Sequence, residues 1–292
     1  MRLTTATCAL AWMLVAMGLS PGASADTGRS QLLATGGVST LEGSAGGGIV
    51  PMAVLSGYGT REEQGGAAFA SHVHTPEYRL SVAGGSWSWR NRLEVSLTEQ
   101  RLSHQPLSNR LGVGQDSIRQ SVIGAKVRLL GDLIYTPWPQ VSLGVQHKKN
   151  HDFFVPSAAG AKDDSGTDVY VSATKLVLAG AAGRNLLLNA TLRSTKANQL
   201  GLVGFGGDLN DSAELMGEAS VGVFLNRHWL LGAEYRQKPD NLSFISEDDW
   251  HTAFVAWFPN KQLSLVGAYV DLGEVATFPD QRGWYLSLQG SF

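Results

Sequence analysis

The last ten residues of the chain, Gly283 to Phe292, constrain its fold more than any other stretch. Trp284, Leu286, Leu288 and Phe292 fall on one face of an extended strand and Tyr285, Ser287, Gln289 and Ser291 on the other. Gly290 interrupts the apolar face without breaking its register. The same period of two recurs upstream. Leu186, Leu188, Ala190 and Leu192 alternate with Asn185, Asn189, Thr191 and Arg193, Leu187 being the exception. Val141, Leu143 and Val145 oppose Gln140, Ser142, Gln146 and Lys148, and Trp229, Leu231, Ala233 and Tyr235 oppose Glu234, Arg236 and Lys238.

Such alternation suits a soluble sandwich, with its apolar face inward, as well as a membrane barrel, with its apolar face outward. Strand length, turn asymmetry and aromatic placement separate the two. Candidate strands run to about 10 to 13 residues, near the 9 to 11 that cross a bilayer at a tilt and longer than the 5 or 6 usual in soluble sheets. Short turns near 89–91, 131–138, 179–184, 226–228 and 259–261 alternate with long connections near 102–115, 150–167, 197–212, 239–248 and 273–281. Trp138, Trp229, Phe258 and Phe292 sit on the short-turn side, and Tyr235, Trp250, Tyr269 and Trp284 on the other, as two interfacial girdles would.

The beginning of the chain reads as an export signal. Arg2 is followed by an apolar stretch, Cys8 to Leu19, and by Ala23-Ser24-Ala25 before Asp26. We therefore expect residues 1–25 to be removed and 26–292 to form one barrel domain. Cys8 is the only cysteine, so the expected mature chain has no disulfide, thiolate metal site or cysteine nucleophile. No run of 18 apolar residues follows residue 25, which excludes helical spans. A formal charge of −2, with 16% charged residues and no clustered basic face, argues against a nucleic-acid partner.

The expectation is an all-β chain: a transmembrane, antiparallel, up-and-down β-barrel in the outer membrane, with both termini periplasmic. Counting back from the C-terminus gives strands as far as 49–58, and a further one near Gln31 to Leu41 brings the total to an even number, about 14. The alternative is about 12 strands, with Gln31 to Gly48 in the lumen as a plug and two segments between 49 and 88 merged.

The terminal residues Gln281, Gly283, Leu286, Leu288 and Phe292 resemble the signal read by the barrel-assembly machinery: polar, any, Gly, any, any, apolar, any, apolar, then a terminal aromatic. Longer blocks carry a second resemblance. Leu33 to Ser39, Gly144 to Asn150, Gly201 to Asp208, Gly232 to Leu242 and Ala268 to Gly273 are similar to those of an uncharacterised proteobacterial family of predicted outer-membrane proteins. The resemblance implies the barrel and its location, and brings no activity with it.

No Gly-x-Ser-x-Gly elbow occurs, and the seven histidines lack helical metal spacing; His72 and His74 merely share a strand face. Gly204-Phe205-Gly206-Gly207-Asp208 lacks the Lys-Ser/Thr of a phosphate loop and reads as a flexible surface loop. Asp163 to Asp168 reads as a solvated acidic turn. We expect no enzyme, no metal and no cofactor.

A charge layering remains. The long connections are acidic, and just inside them lie Arg101, Lys148, Lys149, Arg193, Lys196, Arg236 and Lys238. Lys148, Arg193, Glu218, Glu234, Arg236 and Lys238 are therefore the candidate pore-lining residues. They point to a passive channel or transporter for small solutes, with a basic constriction that favours anionic ones. The expected partners are outer-membrane lipid and lipopolysaccharide, and the assembly machinery during biogenesis. The rival readings are a closed binding barrel with acidic extracellular loops, and a membrane-embedded lipid-modifying enzyme.

Overall fold

The computed structural model describes residues 31–105 and 114–292; the expected signal at 1–25 lies outside the described residues. Two short strands, β1 (Val38–Ser39) and β2 (Ala45–Gly46), pair as a small hairpin. The longer strands follow: β3 (Gln64–His74), β4 (Arg79–Trp89), β5 (Leu93–Ser103), β6 (Ser117–Leu130), β7 (Gln140–Asn150), β8 (Ser165–Ala181), β9 (Arg184–Thr195), β10 (Glu214–Phe224), β11 (Trp229–Arg236), β12 (Trp250–Trp257), β13 (Leu263–Asp271) and β14 (Arg282–Ser291). Each pairs antiparallel with its sequence neighbours, and β14 returns to β3, so β3 to β14 form one closed barrel. A single helical turn, α1 (Phe154–Ala158), lies in the connection after β7.

Burial along the strands is inside out relative to a protein built for water. On β5, Glu94, Ser96, Thr98 and Gln100 are buried while Leu93, Val95 and Leu97 are exposed. Around the wall, Leu97, Ile123, Leu192 and Leu286 are 57 to 64% exposed. A continuous apolar exterior around a polar interior is stable only in a hydrocarbon solvent, so this is a membrane barrel. Aromatic pairs mark its rims: Trp229 stacks on Trp257 on the short-turn side, and Tyr269 meets Trp284 edge to face on the other.

The wall has the smaller of the two expected strand numbers. Residues 66–75 and 78–88 stay separate as β3 and β4, whereas the strands expected at 31–41 and 49–58 are absent from the wall. Both segments lie in the lumen, buried from Val38 to Gly59. The physical reason is that β14 closes on β3, which leaves no free edge, and that Pro51 and the run Gly46-Gly47-Gly48 break a ladder. The glycines serve close approach instead: a Cβ at Gly47 would collide with the Glu234 carboxylate.

The seam is locked by the C-terminus. The Phe292 N–H donates to the Gly66 carbonyl (3.0 Å), and the Phe292 carbonyl accepts from Gly66 N–H (3.1 Å) and Tyr58 N–H (3.4 Å). Gln281 ties the loop ahead of β14 to the β3–β4 loop, its Oε1 accepting from Thr75 Oγ1 (2.8 Å) and its Nε2 donating to Glu77 (2.5 Å). Gly283 packs against the His74 backbone, and Leu286 and Leu288 point outward.

Candidate functional site in the barrel lumen

Five consecutive strands contribute to a row of inward charged side chains whose signs alternate: Lys148 on β7, Asp168 on β8, Arg193 on β9, Glu218 on β10 and Arg236 on β11, which also carries Glu234 one inward position further along. Strand register sets the ladder, with Gln146 opposite Asp168, Thr191 opposite Glu218, and Glu218 opposite Arg236. Lys148 pairs with Asp168 (2.6 Å), Arg193 with Asp168 (3.2 Å) and Glu218 (2.5 Å), and Arg236 with Glu218 (3.6 Å). The Arg193 guanidinium also lies over the Tyr170 ring, 5.0 Å from its centroid.

The ladder has one more positive than negative group, and the lumen segment supplies the missing charge. Glu42 reaches Arg236 (2.6 Å), Arg193 (3.4 Å) and Lys148, all but fully buried. Charges out of water need such pairing, since removing one partner strands the others.

Wall side chains also satisfy the backbone of the lumen segment. Glu234 accepts from Gly48 N–H (2.8 Å) and Ile49 N–H (2.9 Å). Lys126 pairs with Glu94 (3.3 Å) and donates to the carbonyls of Ala45 (2.8 Å) and Met52 (3.1 Å), while Glu94 accepts from Ala45 N–H (3.1 Å) and Ser56 N–H (2.7 Å). The Pro51 carbonyl accepts from Ser172, Asn189 and Thr191. These contacts pair backbone groups of the segment that burial would otherwise leave unsatisfied.

Of the six candidates from the sequence, Lys148, Arg193, Glu218 and Arg236 meet in this network, and Glu234 stands apart as a backbone anchor. Lys238 is not part of the ladder: it pairs with Glu247 (2.9 Å) in the connection after β11 and lies 4.8 Å from the Trp250 ring centroid. Burial pushes the Lys238 ammonium down and the Glu247 carboxyl up, each against the attraction of the other. Arg101 and Lys149, read as part of the basic layer, lie on the outward-facing side of the wall. Sequence reasoning missed Glu42, Asp168, Lys126 and Glu94. Glu42 had one available signal, being the lone charge in the glycine-rich stretch from Gly36 to Gly48.

Among the described residues, the connections after β9 and β11 fold inward over the mouth, burying Leu200, Leu202, Val203, Leu242 and Ile245. The stretch read as a flexible loop at Gly204 to Asp208 is instead mostly packed: Phe205 is fully buried, with its ring against Gly166 and Gly201. At the other end an apolar chamber of about 800 Å³ opens between the short turns. On the outer face His72 Nδ1 lies 3.1 Å from Ser81 Oγ and His151 Nε2 2.6 Å from Ser121 Oγ; neither pair has a carboxylate hydrogen-bonded to the ring among the described residues.

The family model described as "Protein of unknown function (DUF3034)" matches residues 35–289, and the chain belongs to that family. No relative is found among curated proteins. Among solved structures, "KdgM porin in complex with disordered oligogalacturonate" is 9% identical, with 77% of this chain and 99% of that one covered at a TM-score of 0.49. Omp33 of Acinetobacter baumannii is 11% identical (78% and 97% covered, TM-score 0.44). The COG4313 outer membrane channel of Pseudomonas putida F1 is 10% identical (78% and 94%, TM-score 0.43).

Proposed function

We propose that this member of the DUF3034 family is an outer-membrane channel for small solutes, closed by its own residues 31–63 and selective for anions once that segment moves. The short turns and both mature termini face the periplasm in this reading. The observation that carries it is the charge ladder, which is neutral only with Glu42 in place. Withdrawing Glu42 leaves the row Lys148, Asp168, Arg193, Glu218 and Arg236 with one excess positive charge, and fixed charge in a narrow pore selects the opposite ion.

Planar-bilayer recording tests this. Wild-type protein should show long closures with intermittent openings, and Glu42→Gln should raise the open fraction several-fold with an anion-favouring reversal potential. Reversing Arg193 and Arg236 to Glu in that background should invert the preference. If folded protein stays silent both as wild type and as Glu42→Gln, the channel reading fails.

The filled lumen and the packed roof of loops also support a second reading, a permanently closed barrel whose acidic loops bind a partner. That barrel would show no openings in either form, so the same recordings separate the two.

A further inference from the structure

Inward-facing positions of a water-filled pore are polar, yet those at the short-turn end of this lumen are not. Leu176 on β8, Leu187 on β9, and Leu230 and Phe254 on β11 and β12 face Met52 and Val54 of the lumen segment across the chamber of about 800 Å³. This volume falls within the range of about 300 to 1,000 Å³ that small-molecule sites occupy, and such sites are largely apolar with a few polar groups that fix orientation. Here the polar groups are at the mouth. Arg184 and Arg227 line it from two short turns, both exposed, with Asn226 beside them.

We propose that this chamber binds a small amphipathic anion: an alkyl chain of medium length lying against the leucines and Phe254, and one carboxylate held at Arg184 and Arg227. The apolar wall provides for the tail what water does not, and the guanidinium groups fit a planar carboxylate in fork geometry. A fully polar anion would gain nothing from the walls, and an uncharged chain would forgo the arginines. The site deepens the channel reading by naming the class of solute at the periplasmic end, and it rests on that reading only for the direction of passage.

The test uses single cysteines in a Cys8→Ser background, because Cys8 is the only native thiol. Leu230→Cys and Leu187→Cys report on the chamber, and the lipid-facing Val255→Cys is the control. The proteins are placed in phospholipid nanodiscs and labelled with a small maleimide in the presence of decanoate, decanol or acetate, with heat-modifiable gel migration confirming the folded barrel. Decanoate should slow labelling at both chamber positions at least ten-fold, decanol less and acetate not at all, and Val255→Cys should be unaffected. Arg184→Ala with Arg227→Ala should erase the advantage of decanoate over decanol.

Equal slowing at Val255→Cys would mean partition into the bilayer, and would overturn the assignment. So would chamber cysteines that label only after residues 26–30 are deleted, because the chain's own N-terminus would then be the occupant. Protection without any conductance keeps the site and removes the channel, whereas anion-selective openings without protection do the reverse.

Discussion

A carboxylate withdrawn from water has to find its countercharge inside the protein, and Glu42 finds Lys148, Arg193 and Arg236 together. Truncating it to Ala leaves these buried cations undercompensated, at a cost of about 3–5 kcal/mol by analogy with other broken buried pairs. Urea unfolding in lipid vesicles measures this. Glu42→Ala should lower the midpoint well below wild type, and adding Arg236→Met should recover part of the loss, because an apolar replacement removes one stranded charge. The candidates Arg193 and Arg236 were legible because they fall in phase with the polar face of an alternating strand, and Lys148 because it continues the polar face of Gln140, Ser142 and Gln146. Glu42 was not, since no period governs a segment that touches the wall through turns and glycines. Nor does a single sequence reveal that each wall charge already has a partner: the partners stand on the next strand, and only the register brings them together.

At the scale of elements, the turns and the seam use glycine for different reasons, and these separate experimentally. Gly183 has a positive φ (78°) in the β8–β9 turn with open space around it, so Gly183→Ala should cost only the backbone strain, about 1 kcal/mol. Gly57 also has a positive φ (76°), but its Cβ would press on the Gly66 backbone and lie 2.7 Å from the Phe292 carbonyl. Gly57→Ala should therefore cost more than Gly183→Ala, at about 2 to 4 kcal/mol, read from the same unfolding midpoints. The strands from β3 to β14 were visible in the sequence through their period of two and their bounding turns. Residues 49–58 imitated that period through Val50, Met52 and Val54. Pro51 and the three glycines before Ile49 were the local evidence against a wall strand, and the need for an even number of strands pulled the count the other way.

For the molecule as a whole, the wall and its contents are separable in a way that a soluble core is not. Backbone pairing around β3 to β14 is complete without the lumen segment, and lipid provides the outer solvent. Deleting residues 26–48 should therefore leave a heat-modifiable barrel that is less stable and leakier than wild type, as measured by gel migration and by efflux of a small dye from vesicles. Failure to assemble would show that the segment is needed to build the wall. Sequence alone could establish the barrel, because hydrocarbon and water impose their preferences on every second residue. It could not establish what fills the barrel, because the contents obey the shapes and charges of a dozen strands at once.

The alternation of sign from β7 to β11 bears on assembly as well as on ions. Exchanging two adjacent strands of the row would set ammonium against guanidinium or carboxylate against carboxylate, and shifting one along its neighbour would leave buried charges unpaired. The penalty for such a mistake is several kcal/mol per like-charge contact. A barrel zipped up strand by strand thus carries within its wall a test of whether each arrival has the sign and register its neighbour requires.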